Sequence, residues 1–380
     1  VADDQDGAAR RSLLGRIRSI TRDLYAAEAH LRRIDEVLRR RVAMRMGTRI
    51  AGASRTATAL ARTAGRDAAD LAPLWSEVHA LRCEVDALLE ECLLLVSGAA
   101  QRSLGFDGGY CELADTLVDE LVARTPVGHW GSFTVVGRAE QYSRASRVIQ
   151  LRFPATTVWD LPAVAHELGH FVGPALVEDS GFRSEHPLDL LYAELGDGSD
   201  RSWSWLQELF ADAFAAHLVG PAYGFLCVQA AFDPLLAHLP TATHPAAGQR
   251  VHIIAAMLAT GDDEDRAWAA KQTVELWDRL VDAAGGAEGR DPVGASPYAG
   301  PLVGLIDDHL PISGYAGGAA AEAVAAVLPE PRPVRPPGVT VTDILNGAWL
   351  ARLRSGSAAA IDDVAQKALA MCRSRDRGEG

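Results

Sequence analysis

The stretch Trp159-Asp-Leu-Pro-Ala-Val-Ala-His-Glu-Leu-Gly-His-Phe-Val-Gly173 constrains this chain more than any other. Its pattern predicts one short helix, with Asp160 as N-cap, Pro162 in the first turn and a stop at Gly173-Pro174. His166 and His170, four residues apart, then stand one above the other on a single face. Val164, Ala165, Leu168, Phe171 and Val172 make the rest of the helix apolar. The His-Glu-His stripe therefore belongs to an interior, where unpaired polar groups are costly. Two arrangements meet that demand. One is a hydrogen-bonded pair of core histidines; the other is a tetrahedral zinc site in which the imidazoles take two corners and Glu167 is general base to the metal-bound water. The spacing favours zinc, and a zinc site needs a third protein ligand.

A chain of 380 residues has room for two or three domains and a substantial core. Its net charge of -13 argues against a general nucleic-acid binder. No apolar run approaches the roughly 18 residues that span a bilayer, and the opening Val-Ala-Asp-Asp-Gln-Asp lacks the charged-then-apolar order of a secretory signal. Neither nucleic acid nor membrane is therefore expected as a partner. Cys83, Cys92, Cys111, Cys227 and Cys372 are odd in number and form no C-x-x-C pair, which fits a reducing compartment, and the cytoplasm is the expected location.

Upstream of the histidine stretch, apolar residues recur in steps of four and three at Leu13, Ile17, Ile20, Leu24, Ala27, Leu31, Ile34 and Leu38. A second seam runs Leu71, Leu74, Val78, Leu81, Val85, Leu88, Cys92, Leu95, and the Gly/Ala/Ser/Thr-rich residues 47–65 separate the two. The simplest reading is an antiparallel helical hairpin, or coiled coil, over residues 1–103. It would serve either as an arm for a protein partner or self-association, or as a domain that packs on the rest. Arg39, Arg40, Arg41, Arg45 and Arg49 cluster near its tip, as a solvated face or as a site for an acidic partner.

A helix over 111–123 leads to two short β-branched strands, 132–136 and 147–153. An exposed edge on the second would let an extended peptide add as a further strand. Residues 173–201 are loop-rich, with a short helix at 188–195, and form a candidate lid. The next strong helix spans 203–219. Trp203, Leu206, Phe210, Ala213, Phe214 and His217 define one face, while Glu208 and Asp212 share the opposite face beside the small Ala211 and Ala215. A helix apolar or small on nearly every side is buried, and two carboxylates on it need a cation or a hydrogen-bonded histidine. Glu208 is thus the expected third metal ligand, and Asp212 the group that orients a zinc-bound histidine. Glu178, Glu185 and Glu194 compete for the ligand role from less apolar surroundings.

The pairing of Val-Ala-His-Glu-Leu-Gly-His170 with Glu208-Leu-Phe-Ala-Asp212 resembles the gluzincin class of zinc metallopeptidases. Downstream, Thr243-His-Pro-Ala-Ala-Gly-Gln-Arg-Val251 is similar to the segment that follows the glutamate helix in the CAAX-prenyl-protease and heat-shock membrane-protease family. The resemblance covers about residues 130–260. It implies zinc on His166, His170 and Glu208, Glu167 as base and proton shuttle, and His244 and Arg250 as groups that stabilise the oxyanion or order the site. From chemistry alone, His244 and Arg250 could equally be a core polar pair. The transmembrane helices of those proteases have no counterpart here, which favours a soluble relative that keeps the catalytic core.

Beyond that core, an amphipathic helix is expected over 265–283, a Gly/Ala/Pro-rich segment and extended linker over 284–338, and two short helices in 339–380 that cap the core or cover the cleft. The expected fold is mainly α (α+β): a zincin-like core at 104–283 with a small sheet and an active-site helix, preceded by the hairpin. The expected function is that of a soluble zinc-dependent endopeptidase acting on protein or peptide, regulated or recruited through the hairpin. Endopeptidase is preferred to aminopeptidase because no motif for a substrate α-amine is visible. The rivals are a helical adaptor with a vestigial zinc site and a narrowly specific zinc amidohydrolase.

Overall fold

The computed structural model describes residues 2–34, 36–66, 70–125, 127, 133–138, 140–143, 146–152, 157–179, 187–260, 264–285, 297–310 and 312–374. The side chains of residues 2–6, 36–39, 41–45, 174–179, 187 and 308–309 fall outside this description. The protein is mainly helical, with a small three-stranded sheet. The chain divides into two compact units, one comprising residues 1–109, 131–138 and 143–150, the other 110–130, 139–142 and 151–380.

The first unit corrects the hairpin expected from the sequence: it holds a bundle of three helices, α1 (Ala2–Leu31), α2 (Glu36–Ala64) and α3 (Leu71–Ser103), each packed on the other two. The stretch 47–65, expected to separate two helices, is itself helical as far as Ala64. Met46, Ile50, Ala53, Ala57, Leu60 and Ala64 are buried in steps of four and three, so α2 offers a seam of small residues to the two leucine-rich seams. Alanine is the best helix former. The hydroxyls of Thr56, Thr58 and Thr63 bond back to the carbonyls of Gly52, Ser54 and Ala59, which satisfies them without leaving the helix. Arg82 of α3 donates to Asp23 of α1 at 2.6 Å, and Arg49 of α2 pairs with Glu91 of α3. Arg49 is therefore engaged inside the bundle, Arg40 is exposed, and the side chains of Arg39, Arg41 and Arg45 lie outside the described residues.

The strands are β1 (Thr134–Gly137), β2 (Gln141–Ser143) and β3 (Val148–Arg152), in the order β1-β3-β2. The strand expected to offer an edge, β3, is the central one, because β2, too short to be seen in the sequence, occupies its second side. The edge for an incoming peptide is not on β3.

The second unit carries α4 (Tyr110–Val122), α5 (Ala163–Asp179), α6 (Pro187–Leu195), α7 (Asp200–Val219), α8 (Pro221–Leu226), α9 (Ala247–Leu258), α10 (Glu264–Ala283), α11 (Ala299–Gly304), α12 (Gly318–Val327), α13 (Val341–Arg354) and α14 (Ala358–Arg373). Two expectations for α5 are corrected. Asp160 lies in a run of turns before the helix, where its carboxylate accepts from Thr157 Oγ1 at 2.6 Å. The helix also continues past Gly173-Pro174 to Asp179. Pro174 lacks an N–H for the His170 carbonyl, but one missing bond does not end a helix whose other bonds persist.

Helix α7 begins at Ser199, whose hydroxyl accepts from Ser202 N–H at 3.1 Å, and ends at Gly220, whose φ of 79° only glycine adopts freely. Pro221 then opens α8 at once, making a sharp corner. Residues 284–338 are not linker throughout, since they include α11 and α12. Helix α13 packs on α12, α14, α8 and α4, and its Trp349 is fully buried, so this tail is core of the second unit rather than a cover over a cleft.

Candidate metal centre

Helices α5 and α7 lie side by side, with Gly169 of α5 against Ala211 and Phe214 of α7. The absence of side-chain bulk at Gly169 and Ala211 brings the helices together where α5 turns His166 and His170 toward Glu208 of α7. His166 Nε2 is 3.2 Å from His170 Nε2 and 3.3 Å from Glu208 Oε2, and His170 Nε2 is 3.4 Å from Glu208 Oε1. These three residues form the one His/Cys/Asp/Glu group of metal-binding dimensions among the described residues. Zinc bonds of 2.0–2.1 Å in a tetrahedron put neighbouring ligand atoms about 3.3–3.4 Å apart. The two nitrogens are separated by about that edge, and the two contacts to Glu208 are as short but end on its two different oxygens.

Glu208 Oε2 is buried, and among the described residues it has no hydrogen-bond partner. Its neighbours are His166 Nε2 at 3.3 Å, His244 Nε2 at 3.4 Å and Arg250 Nη2 at 3.9 Å, and a cation held closer would compensate the buried charge further. The residues present fit a zinc ion by donor type, spacing and this orphaned oxygen.

The electrostatics make the same demand for positive charge. Burial alone would lower the His166 pKa, but the Asp212 and Glu208 carboxylates beside it overcome this and push it up to about 10. Burial raises Glu208, and the nearby His166, His170 and Arg250 outweigh that, bringing it down to about 2. Asp212, with no exposed surface, is held below the usual carboxylate range against its burial by Arg250 and His166. Without an ion, then, the site keeps a proton on His166 to balance two carboxylates.

Behind His166 lies a polar cluster. Asp212 Oδ1 is 3.0 Å from His166 Nδ1 and accepts from the Tyr223 hydroxyl at 2.6 Å. Arg250, on α9, donates from Nε to Asp212 Oδ2 at 2.7 Å and from Nη2 to Oδ1 at 2.8 Å. Glu167, one residue beyond the first histidine, is buried; burial raises its pKa, the field of His166 opposes this, Glu208 adds to it, and the Tyr142 main chain hydrogen-bonds the carboxylate.

His244 sits on the loop between α8 and α9, where Trp205 Nε1 donates to the Thr241 carbonyl at 3.1 Å and the His244 N–H donates to Thr241 Oγ1 at 2.8 Å. Its Nε2 is 3.4 Å from Glu208 Oε2, and the side chain is about half exposed (49%). The structure thus brings His166, His170, Glu208, Asp212, His244 and Arg250 into one contiguous cluster, with Glu167 buried at its edge. Of the competing ligands, Glu194 is exposed on α6, while Glu185 and the side chain of Glu178 lie outside the described residues.

Sequence reasoning missed Tyr223 and Glu140. Glu140, close enough to feel the charge of His166, has its pKa raised by burial against the pull of Arg152. A buried tyrosine needs a partner for its hydroxyl, but nothing in the apolar run around Tyr223 identifies that partner. No family model matches the chain, and no curated protein or solved structure is significantly similar to it.

Proposed function

We propose that this chain is a zinc-dependent endopeptidase with a zincin-like core of the gluzincin type, in which His166, His170 and Glu208 hold the metal. The observation that carries this reading is the convergence of two imidazole nitrogens, 3.2 Å apart, on the two oxygens of one largely buried carboxylate, at 3.3 and 3.4 Å. Zinc held there supplies a Lewis acid for a peptide carbonyl and brings the pKa of a water down to about 7.

The chain's own residues supply the rest. Glu167 takes the proton from the attacking water and returns it to the leaving amine, and its raised pKa makes it a stronger base than an exposed carboxylate. His244, with one face open to solvent, donates from Nε2 to the carbonyl oxygen as charge develops there. Asp212 and Arg250 do not touch substrate; they fix His166 from behind. Recruitment of a protein substrate through the three-helix unit belongs to the same proposal. So does a reducing, cytoplasmic location, which is supported by five cysteines that are all free thiols. No described helix is long and apolar enough to cross a membrane.

Elemental analysis of the wild type, His170→Ala and Glu208→Ala tests the metal first. About one zinc per chain in the wild type and clear loss in both variants are expected. Glu167→Gln should keep the zinc and lose peptide turnover, which a peptide library digested with both proteins would register. A wild type that holds no zinc after supplementation sinks the reading, and full activity in Glu167→Gln removes that residue from the chemistry.

A further inference from the structure

Helices α8, α10, α12 and α13 line a cavity of about 260 Å³ to which no residue of the metal centre contributes a wall. Pockets for drug-sized ligands hold roughly 300–1,000 Å³, so this one suits a smaller molecule. Its apolar walls are Pro221, Ala321, Leu350 and the ring of Trp268. Trp268 packs on Phe225 in a T-shaped pair with ring centroids 6.3 Å apart and still remains 45% exposed, so indole surface is left for a ligand.

The polar lining divides into donors already engaged and acceptors with room. Asn346 donates its two amide hydrogens to the Val219 carbonyl at 2.7 Å and the Thr342 carbonyl at 2.9 Å, and accepts from Ala222 N–H at 2.8 Å. It thereby ties both arms of the Gly220-Pro221 corner, just ahead of Tyr223, to α13 and fixes that wall of the cavity. The Tyr315 hydroxyl has one hydrogen and faces two acceptors, the Gly317 carbonyl at 2.9 Å and Asp343 Oδ1 at 3.0 Å. Arg354 forks onto the two oxygens of Glu322, at 2.9 and 2.6 Å. An anion would therefore find the amide and hydroxyl donors of these walls spent.

A cation is met differently. Asp265 adds a second carboxylate to the lining, and the glycine that opens α12 makes room for it: a Cβ on Gly318 would stand 2.8 Å from Asp265 Oδ2. A carboxylate has about four acceptor positions, so Asp265 can take a further N–H while keeping its present contacts. Asp265 and Trp268 are three residues apart on α10 and share one face. Two carboxylates against one guanidinium make the lining net negative, beside the side chain whose ring attracts cations most strongly.

We propose that this cavity is a binding site for a small organic monocation with an apolar or aromatic body, its charged nitrogen held on Asp265 and over Trp268. The inference does not rest on the zinc reading.

The test titrates the full chain at neutral pH with phenethylamine, phenethyl alcohol and hydrocinnamate, which share a phenyl body and differ in the charge of the head group. Calorimetry gives the dissociation constants, on protein as purified and after treatment with a chelator. The amine is expected to bind about tenfold or more tighter than the alcohol, with the carboxylate weakest. Trp268→Leu and Asp265→Asn should each weaken the amine about tenfold. If Trp268→Leu does not fold, Asp265→Asn and the order of the three probes on the wild type decide. Equal constants for amine and alcohol, a preference for the carboxylate, an amine constant unchanged in the folded variants, or no saturable binding of the amine by about 10 mM overturns the proposal. So does amine binding that disappears after chelation, because the nitrogen would then be ligating a metal. A chain that holds no zinc and still binds the amine sinks the peptidase reading and leaves this one standing.

Discussion

A methyl group on Gly169 would stand 2.8 Å from the Cα of Ala211, so the helices that carry the three proposed ligands meet there backbone to backbone. Gly169→Ala gains up to about 1 kcal/mol of helix propensity but overpacks the contact, at a cost of about 1–3 kcal/mol. The expected outcome is a modest loss of stability with a larger loss of zinc affinity, as α5 and α7 are pushed apart and the ligand triangle widens. Ala211→Gly in the same chain should recover only part of it, because it removes the Cβ neighbour at 3.1 Å and leaves the Cα. Chelator titration of the three proteins checks this, and an unchanged affinity in Gly169→Ala would refute the close approach.

Zinc binding should release a proton. His166 is raised from 6.5 to about 10 by its carboxylate neighbours, so the metal-free fold binds that proton more tightly than the unfolded chain. The resulting stability is fully present below about pH 6.5 and is lost as pH rises through about 10. Glu208, lowered from 4.5 to about 2, has the opposite sign: its contribution is present above about pH 4.5 and disappears as pH falls toward 2. A metal ion displaces the His166 proton, so zinc affinity should rise about tenfold per pH unit between roughly pH 7 and 10. Calorimetry in buffers of different ionisation enthalpy counts the proton; a count of zero at pH 8 would contradict the charge balance described here.

Arg250→Ala leaves Asp212 buried with its charge compensated only by Tyr223 and His166. Removing one partner of such a pair costs about 3–5 kcal/mol. Arg250→Lys, which cannot span both oxygens, should fall between this variant and the wild type. Urea unfolding of the metal-free proteins measures the order. Wild-type stability in Arg250→Ala would show that the salt bridge does not hold the cluster.

The legible part of this protein was local or strongly patterned. His166, Glu167 and His170 are fixed relative to one another by one helical turn, and Glu208 and Asp212 stand out as acids on a helix apolar on nearly every side. Helix α2 was illegible because its seam is built from Ala53, Ala57 and Ala64, which carry little hydrophobic signal, among Gly, Ser and Thr that ordinarily mark loops. Strand β2 has three residues, too few for a period of two to register, and its pairing decides whether β3 has a free edge. Tyr223 depends on tertiary geometry: it meets Asp212, eleven residues earlier, only because the chain turns sharply at Gly220-Pro221.

The clamp of Asn346 on that corner also has a consequence in time. The main-chain groups it holds belong to Val219 and Ala222, more than 120 residues earlier. A ribosome therefore releases every proposed zinc ligand well before the side chain that steadies the Tyr223 corner. Through that interval the emerging polypeptide carries its histidines and carboxylates before Asn346 can clamp the corner, so the proposed centre would be completed only after residue 346 has emerged.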